Sequence, residues 1–170
     1  MAGPRFVTLE ELAARLAPQT RVLGLDLGTK TIGLALSDIS RTVASPLGTI
    51  ARTKFTKDMN KLMEFIEEHE ISALIIGIPL NMDGSEGPRA QATRAFAGNL
   101  AKHTDMPIAL WDERLSTVAV ERTLLEADAS RKRRGEVIDK MAAAFILQGA
   151  LDRLGNIGSP RASEDMSGDG

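Results

Sequence analysis

Residues 21–37 read RVLGLDLGTKTIGLALS, and this stretch determines how the rest of the chain can be arranged. Residues 22–28 are apolar or glycine apart from Asp26, a composition that predicts a strand covered on both faces. Residues 31–37 predict a second strand, and the Gly28-Thr29-Lys30 turn between the two indicates a hairpin. An antiparallel pair of strands therefore opens the main domain.

The remaining elements follow this hairpin in a distinctive order. A third strand near residues 47–51 is expected to extend the antiparallel pair, and residues 57–69 carry apolar side chains at helical spacing. Strands then alternate with helices, which implies parallel pairing through crossovers. The predicted strands are 73–78 and 108–111, and the predicted helices are 88–103, 118–127 and 136–154. The order β-β-β-α-β-α-β-α-α is that of an α/β, ribonuclease-H-like mixed sheet flanked by helices, whereas a doubly wound Rossmann sheet would begin with a βαβ unit.

The composition indicates one globular domain with short flanking segments. The chain has 170 residues, of which 43% are hydrophobic and 26% are charged, and these values exclude disordered and collagen-like proteins. We expect an N-terminal extension over residues 1–20 with a short helix capped by Thr8 and Glu11. The main domain is expected over residues 21–154, and a flexible tail over residues 155–170.

Charge and residue types narrow the classes of function. The net charge is −2, so any positive surface that binds nucleic acid must be local. The chain has no Cys and only 2 His, which excludes a disulfide framework, a thiolate zinc site and a cysteine nucleophile. Its apolar stretches fall short of the ~20 residues of a membrane span, and its N-terminus lacks the pattern of a secretory signal. We therefore expect a cytoplasmic protein without a membrane partner.

Two acidic residues stand in apolar surroundings. A carboxylate at Asp26 would cost several kcal/mol to bury unless it is hydrogen-bonded, paired with a cation or bound to a metal. The alternative interpretation is that Asp26 accepts hydrogen bonds from the backbone N–H groups of the following turn and has a structural role only. Asp139 heads an apolar stripe at helical spacing, which predicts that it points at the sheet. Its alternative is a partly exposed acid near the helix start, paired with Lys132 or Arg134.

A third acidic site, Asp112-Glu113, directly follows a predicted strand. Successive side chains of a strand point to opposite faces, so only one of the two acids can join a given cluster, and Glu113 would share its side with Trp111. Asp112 is better explained as a cap or turn residue. Carboxylates that converge at strand ends suit Mg²⁺ or Mn²⁺, and two such ions stabilise the attacking and leaving oxygens of a phosphodiester displacement. The acids therefore indicate metal-dependent nuclease chemistry, which needs neither His nor Cys.

Four motifs occur in an order that one protein family shares. They are GLDLGTKTIG at residues 24–33, GIPLNMDG at residues 77–84, DERLST at residues 112–117 and the helix that carries Asp139-Lys140. Through them, residues 21–151 resemble the YqgF family, also called RuvX, which is similar in fold to ribonuclease H and to the RuvC Holliday junction resolvases. The resemblance implies a hydrolase that cuts phosphodiester bonds and processes the 5′ end of pre-16S rRNA during ribosome biogenesis. It also implies Mg²⁺ or Mn²⁺ as the cofactor, with Asp26, Glu113 and Asp139 as the catalytic and metal-binding acids.

The sequence departs from RuvC-type sites in one place. The strand that ends at Ile78 leads into Pro79-Leu80, where RuvC-type enzymes carry an acid. Glu113, Asp112 or Asp83 would then have to supply the third carboxylate.

Basic residues near these acids are candidates to bind phosphates. They are Lys30, Arg114, Arg131, Lys132, Arg133 and Arg134. Each also has a simpler interpretation. Lys30 would be an ordinary residue of the hairpin turn, Arg114 would form an ion pair with Glu113 or Glu121, and the basic run over residues 131–134 would be a solvated surface. The expected partners are pre-rRNA or branched DNA and ribosomal precursor particles, with the chain acting as a monomer or a homodimer.

Three other functions stay open at this point. One is a Holliday junction resolvase that acts on four-way DNA junctions, and another is a non-catalytic nucleic-acid-binding module in which the acids are structural. The third is an ATPase-like fragment, because DLGTKT at residues 26–31 resembles the first phosphate loop of sugar-kinase, heat-shock and actin ATPases. Those proteins use two such domains, and a Walker A loop is excluded because Gly24 and Gly28 are one residue too close.

Overall fold

A single mixed sheet of five strands organises the computed structural model, which describes residues 6–128 and 134–157. Helices flank the sheet, and the order of elements along the chain is the predicted one, after a short first helix. The strands are β1 Arg21–Leu27, β2 Thr31–Ser37, β3 Ala44–Ala51, β4 Ile71–Ile78 and β5 Ile108–Asp112. The helices are α1 Leu9–Arg15, α2 Phe55–Glu68, α3 Pro88–Ala101, α4 Val118–Asp128 and α5 Arg134–Ile157, and a 3-10 turn covers Glu113–Leu115.

The pairing of the strands confirms the predicted fold class. The order across the sheet is β3-β2-β1-β4-β5. The pairs β1 with β2 and β2 with β3 are antiparallel, whereas β1 with β4 and β4 with β5 are parallel. Because β1, β4 and β5 run in the same direction, their carboxyl ends lie at one edge of the sheet. The residues that follow these strands are therefore brought together there.

Helices cover both faces of the sheet, as the apolar sequence of β1 predicts. Val22 belongs to a core formed with α5, and Leu12 of α1 lies in the same core. The neighbouring Leu23 and Leu25 point the other way, into a core that includes Leu62 of α2 and residues of α3. The alternation fixes the direction of Asp26, which must lie on the α5 side.

Two glycines of the hairpin allow α5 to approach the sheet closely. A Cβ atom at Gly33 would lie 2.0 Å from the carbonyl oxygen of Asp139. A Cβ atom at Gly24 would lie 2.7 Å from the Cβ of Leu147. Neither distance is compatible with a larger residue unless the helix moves. The glycines of the hairpin therefore set the position of Asp139.

The ends of the chain differ in part from the prediction. The capping box of α1 is confirmed, since Thr8 Oγ1 accepts a hydrogen bond from the Glu11 amide at 3.1 Å. Helix α5 continues to Ile157, so residues 155–157 are helical rather than the start of a flexible tail. The rest of that predicted tail lies outside the described residues. Within the described ranges, no helix combines the length and the apolar character that a bilayer crossing requires.

Candidate active site at the sheet edge

Asp26 lies one residue before the end of β1, with only 2% of its surface exposed. Its Oδ1 accepts a hydrogen bond from Nη2 of Arg122, whereas Oδ2 is buried and accepts none from any residue that the structure describes. Burial raises the pKa of Asp26 to about 7, against the lowering effect of Arg122 and with further increases from Glu113 and Asp139. A carboxylate with a free, buried oxygen is costly, which is typical of a functional site.

Glu113 joins Asp26 from the neighbouring part of the sheet edge. It follows β5 directly, is 5% exposed, and its Oε1 accepts a hydrogen bond from Nη1 of Arg122. The expected alternation holds, since Trp111 lies in the α5-side core and Glu113 Oε2 would be 2.9 Å from a Cβ atom at Gly77. Gly77 leaves the room that the glutamate side chain occupies.

Asp112 faces away from this pair and caps the 3-10 turn, as its alternative interpretation held. Its Oδ1 accepts a hydrogen bond from the Arg114 amide at 3.0 Å, and Oδ2 lies 2.7 Å from Arg114 Nη2. Hydrogen bonds from Arg114 lower the pKa of Asp112. Asp83 is also elsewhere, because it accepts hydrogen bonds from Ser85 within its own loop. Of the candidates for the third carboxylate, the structure brings Glu113 to Asp26.

Arg122 of α4 links the two buried carboxylates and was not singled out by the sequence. Only 14% of its side chain is exposed, and it forms ion pairs with both Asp26 and Glu113. These two acids raise the pKa of Arg122 despite the opposing effect of burial. Arg122 lies four residues after the fully buried Val118, so both occupy one face of α4, and this spacing was the signal available in the sequence.

Asp139 approaches the same edge from α5 but has a partner of its own. The hydroxyl of Thr31 donates a hydrogen bond to Asp139 Oδ2, and a Cβ atom at Gly28 would lie 2.3 Å from that oxygen. Burial raises the pKa of Asp139, and the Thr31 hydroxyl counteracts this. Asp139 is near enough to Asp26 to raise its pKa as well. Asp139 therefore points at the sheet, as predicted.

Asp26, Glu113 and Asp139 lie near one another but do not form a preformed metal-binding site. Among the described residues, no group of three or more His, Cys, Asp or Glu side chains is arranged to hold a metal ion. Asp26 and Glu113 bind Arg122 instead, and Asp139 binds Thr31. These three carboxylates are still the residues that could hold a divalent cation at this edge, because oxygen is the ligand that Mg²⁺ and Mn²⁺ prefer.

A second arginine near the acids was also missed. Arg89 lies in the first turn of α3, and its charge lowers the pKa of both Asp26 and Asp139. The sequence places Arg89 directly after Pro88, which predicted only the start of a helix. The crossover from β4 to α3 is what brings it to this edge.

The predicted phosphate-binding residues have different surroundings. Lys30 is exposed on the hairpin turn, and its side chain makes no hydrogen bond or ion pair with a described residue. Arg114 forms an ion pair with Asp112 and also donates a hydrogen bond to the Met82 carbonyl at 3.2 Å. It therefore links the end of β5 to the loop over residues 81–87. Neither Glu113 nor Glu121 is its partner. Arg131, Lys132 and Arg133 lie outside the described residues, and of Arg134 only the helical backbone is described.

Comparison with known proteins yields matches over most of the chain. A family model described as RuvX, Holliday junction resolvase, matches residues 20–153. A protein of Paramagnetospirillum magneticum is 64% identical over 142 residues, which cover 84% of this chain and 92% of that protein. A protein of Rhizobium meliloti is 60% identical over 152 residues, which cover 89% of this chain and 92% of that protein. Both carry the name "Putative pre-16S rRNA nuclease".

One solved structure supports the fold assignment. It is T. thermophilus RuvC in complex with Holliday junction substrate, with a TM-score of 0.50 and 13% sequence identity. The match covers 80% of this chain and 96% of that chain. At this identity the likeness shows the fold alone.

Proposed function

Because the chain belongs to the RuvX family, we propose that it is a metal-dependent nuclease whose active site is the edge formed by Asp26, Glu113 and Asp139. The observation that carries the proposal is the state of Asp26. This carboxylate is buried, its pKa is raised to about 7, and its Oδ2 has no partner among the described residues. A purely structural acid would have been satisfied on both oxygens or replaced by an apolar residue.

The donor set fits Mg²⁺ or Mn²⁺. Oδ2 of Asp26 is available, and Glu113 and Asp139 supply further carboxylate oxygens nearby. When bound, such an ion polarises the scissile phosphate and lowers the pKa of a bound water. Asp26 and Glu113 would hold it from the strand ends, and Asp139 would hold it from α5. Both His of the chain lie in other parts of the fold, so neither adds a nitrogen ligand to this site.

The residues around the acids have roles of their own in this proposal. Thr31 fixes the orientation of Asp139 by donating a hydrogen bond to it. Arg89 places positive charge near Asp26 and Asp139, and the exposed Lys30 of the β1–β2 turn would add a contact to the nucleic-acid backbone. The basic run over residues 131–134 ends at Arg134, the first residue of α5, and would add further phosphate contacts. Binding through these residues would weaken steeply with salt.

We infer that the substrate is precursor RNA of the small ribosomal subunit. The two relatives described above, which bear the rRNA nuclease name, are 64% and 60% identical to this chain over 92% of their own length. Cleavage would then take place on ribosomal precursor particles in the cytoplasm. The second candidate is a four-way DNA junction, which the description of the family model favours.

A side-by-side cleavage experiment distinguishes the two substrates. The full chain is incubated with an RNA that spans the leader and the 5′ end of the mature small-subunit rRNA, and separately with a synthetic four-way DNA junction. Each reaction is run with Mg²⁺, with Mn²⁺ and with EDTA. We expect a cut in the RNA that needs the metal and that is lost in Asp26→Asn. Cleavage of the junction alone would instead favour the resolvase, and cleavage that persists in EDTA would refute the metal-dependent mechanism.

A further inference from the structure

Arg122 holds the two most buried acids of the candidate site. We propose that Arg122 is an internal counter-ion that occupies the place of the divalent metal, so that metal binding requires its guanidinium to leave Asp26 and Glu113. The inference rests on the proposed function, because it needs a metal at these carboxylates. It goes further by assigning to α4 the control of access to them.

The geometry makes Arg122 and a metal ion alternatives. The planar guanidinium directs one nitrogen at Asp26 Oδ1 and another at Glu113 Oε1, a pattern that Lys cannot reproduce. Nη2 of Arg122 donates to Asp26 Oδ1 and also lies 3.4 Å from Glu113 Oε2, so it occupies the space between the two acids that a bridging cation would need. Both carboxylates are almost fully buried, so there is little room for the guanidinium and a hydrated ion together.

The arrangement of the other ligands agrees with this competition. The part of the chain that the structure describes contains no ready-made group of three metal-binding side chains. The acids that could form one are instead divided between Arg122 and Thr31. Release of Arg122 would free the facing oxygens of Asp26 and Glu113 at the same time.

Helix α4 is attached in a way that permits this release. Within residues 118–127, Val118 is the one buried side chain, whereas Val120 and Leu124 are 63% and 56% exposed. Residues 119–127 therefore bury no apolar side chain completely, and the ion pairs of Arg122 attach this part of α4 to the acids of the sheet edge. A helix held in this manner can shift at low cost once its arginine is displaced.

A Mn²⁺ titration of the full chain tests the inference. Free Mn²⁺ is measured by its electron paramagnetic resonance signal with wild type, Arg122→Gln, Arg122→Lys and Asp26→Asn. Arg94→Gln serves as the matched control, because Arg94 of α3 pairs with Glu86 of the preceding loop and with neither of the buried carboxylates. Circular dichroism establishes that each variant is folded. Arg122→Lys keeps the charge and covers the case in which Arg122→Gln fails to fold.

We expect Arg122→Gln to bind Mn²⁺ at least about tenfold more tightly than wild type, with Arg122→Lys in between and Arg94→Gln unchanged. Addition of Mn²⁺ to wild type should also accelerate amide hydrogen exchange in α4, because its attachment is lost. Equal or weaker Mn²⁺ binding by both Arg122 variants would overturn the inference and leave the metal site standing. Absence of Mn²⁺ binding in every protein, or equal binding by Asp26→Asn and wild type, would overturn the proposed metal site and the inference with it.

Discussion

Replacement of Asp26 by Asn should stabilise the protein at neutral and alkaline pH in the absence of metal. The side chain is 2% exposed, and burial raises its pKa to about 7 from the ordinary 3.8. Asn has the shape of the protonated acid and can still accept a hydrogen bond from Arg122. The substitution therefore removes a buried charge without creating a cavity.

The pH dependence of this effect has a definite sign. Between pH 3.8 and about 7 the folded protein keeps the proton on Asp26 that the unfolded chain has lost. The free energy of unfolding of wild type therefore falls as pH rises through this window and levels off above it. Each pH unit contributes about 1.4 kcal/mol, so the full window amounts to about 4 kcal/mol. Asp26→Asn lacks this loss and should match wild type at about pH 4.

Urea unfolding in EDTA measures the difference, with the fluorescence of Trp111 as the signal. Trp111 is the only Trp of the chain and is 6% exposed, so unfolding will expose it to water. Asp38→Asn is a control of opposite sign, because hydrogen bonds led by that of Ser40 lower the pKa of Asp38 to about 2. It should be less stable than wild type at alkaline pH. An Asp26→Asn variant that is less stable than wild type at about pH 8, or a gap that does not change with pH, would refute the reasoning.

Three further predictions concern the surroundings of the acids. Gly33→Ala should cost at least about 3 kcal/mol in unfolding free energy, because its Cβ would lie 2.0 Å from the Asp139 carbonyl. Gly48→Ala is the control, because a Cβ atom there meets nothing within 4 Å, and its free energy of unfolding should stay within about 1 kcal/mol of wild type. Equal losses of stability in Gly33→Ala and Gly48→Ala would exclude the close approach of α5. Thr31→Val should lower the rate of cleavage about tenfold at neutral pH and raise the apparent pKa of the pH–rate profile, because the Thr31 hydroxyl lowers the pKa of Asp139. Thr31→Ser should restore the rate and the profile, and an unchanged profile in Thr31→Val would show that the hydroxyl is not needed. Lys30→Gln should weaken RNA binding and reduce the slope of log affinity against log salt concentration by about 1. Filter binding at several salt concentrations measures this slope, and an unchanged slope would show that Lys30 does not contact a phosphate.

The fold was predictable from the sequence because its signals are local. The apolar run of β1, the glycine turn and the later alternation of strands and helices each follow from patterns within about ten residues. The end of α5 was placed too early because Gly155 looks like a helix stop, whereas the preceding turn is anchored by Leu151 and Leu154 in the core. Packing of this kind overrides a local preference.

The site was predictable only in part, for a physical reason. Burial of Asp26 and the inward direction of Asp139 follow from the residues beside them in sequence. The contacts of Arg122 depend instead on how α4 lies against the sheet edge, and the spacing from Val118 indicates a shared helix face without indicating which acids that face meets. For the same reason, the sequence did not indicate the ion pair between Arg114 and Asp112, and a phosphate contact of Arg114 stays a prediction.

Anomalous diffraction from a crystal of the full chain grown with Mn²⁺ would show most directly whether these carboxylates share a cation. We expect a Mn²⁺ peak bonded to both Asp26 and Glu113, with the guanidinium of Arg122 withdrawn from these two partners. A peak bound elsewhere, or no peak at saturating Mn²⁺, would contradict a metal-dependent active site at this edge of the sheet.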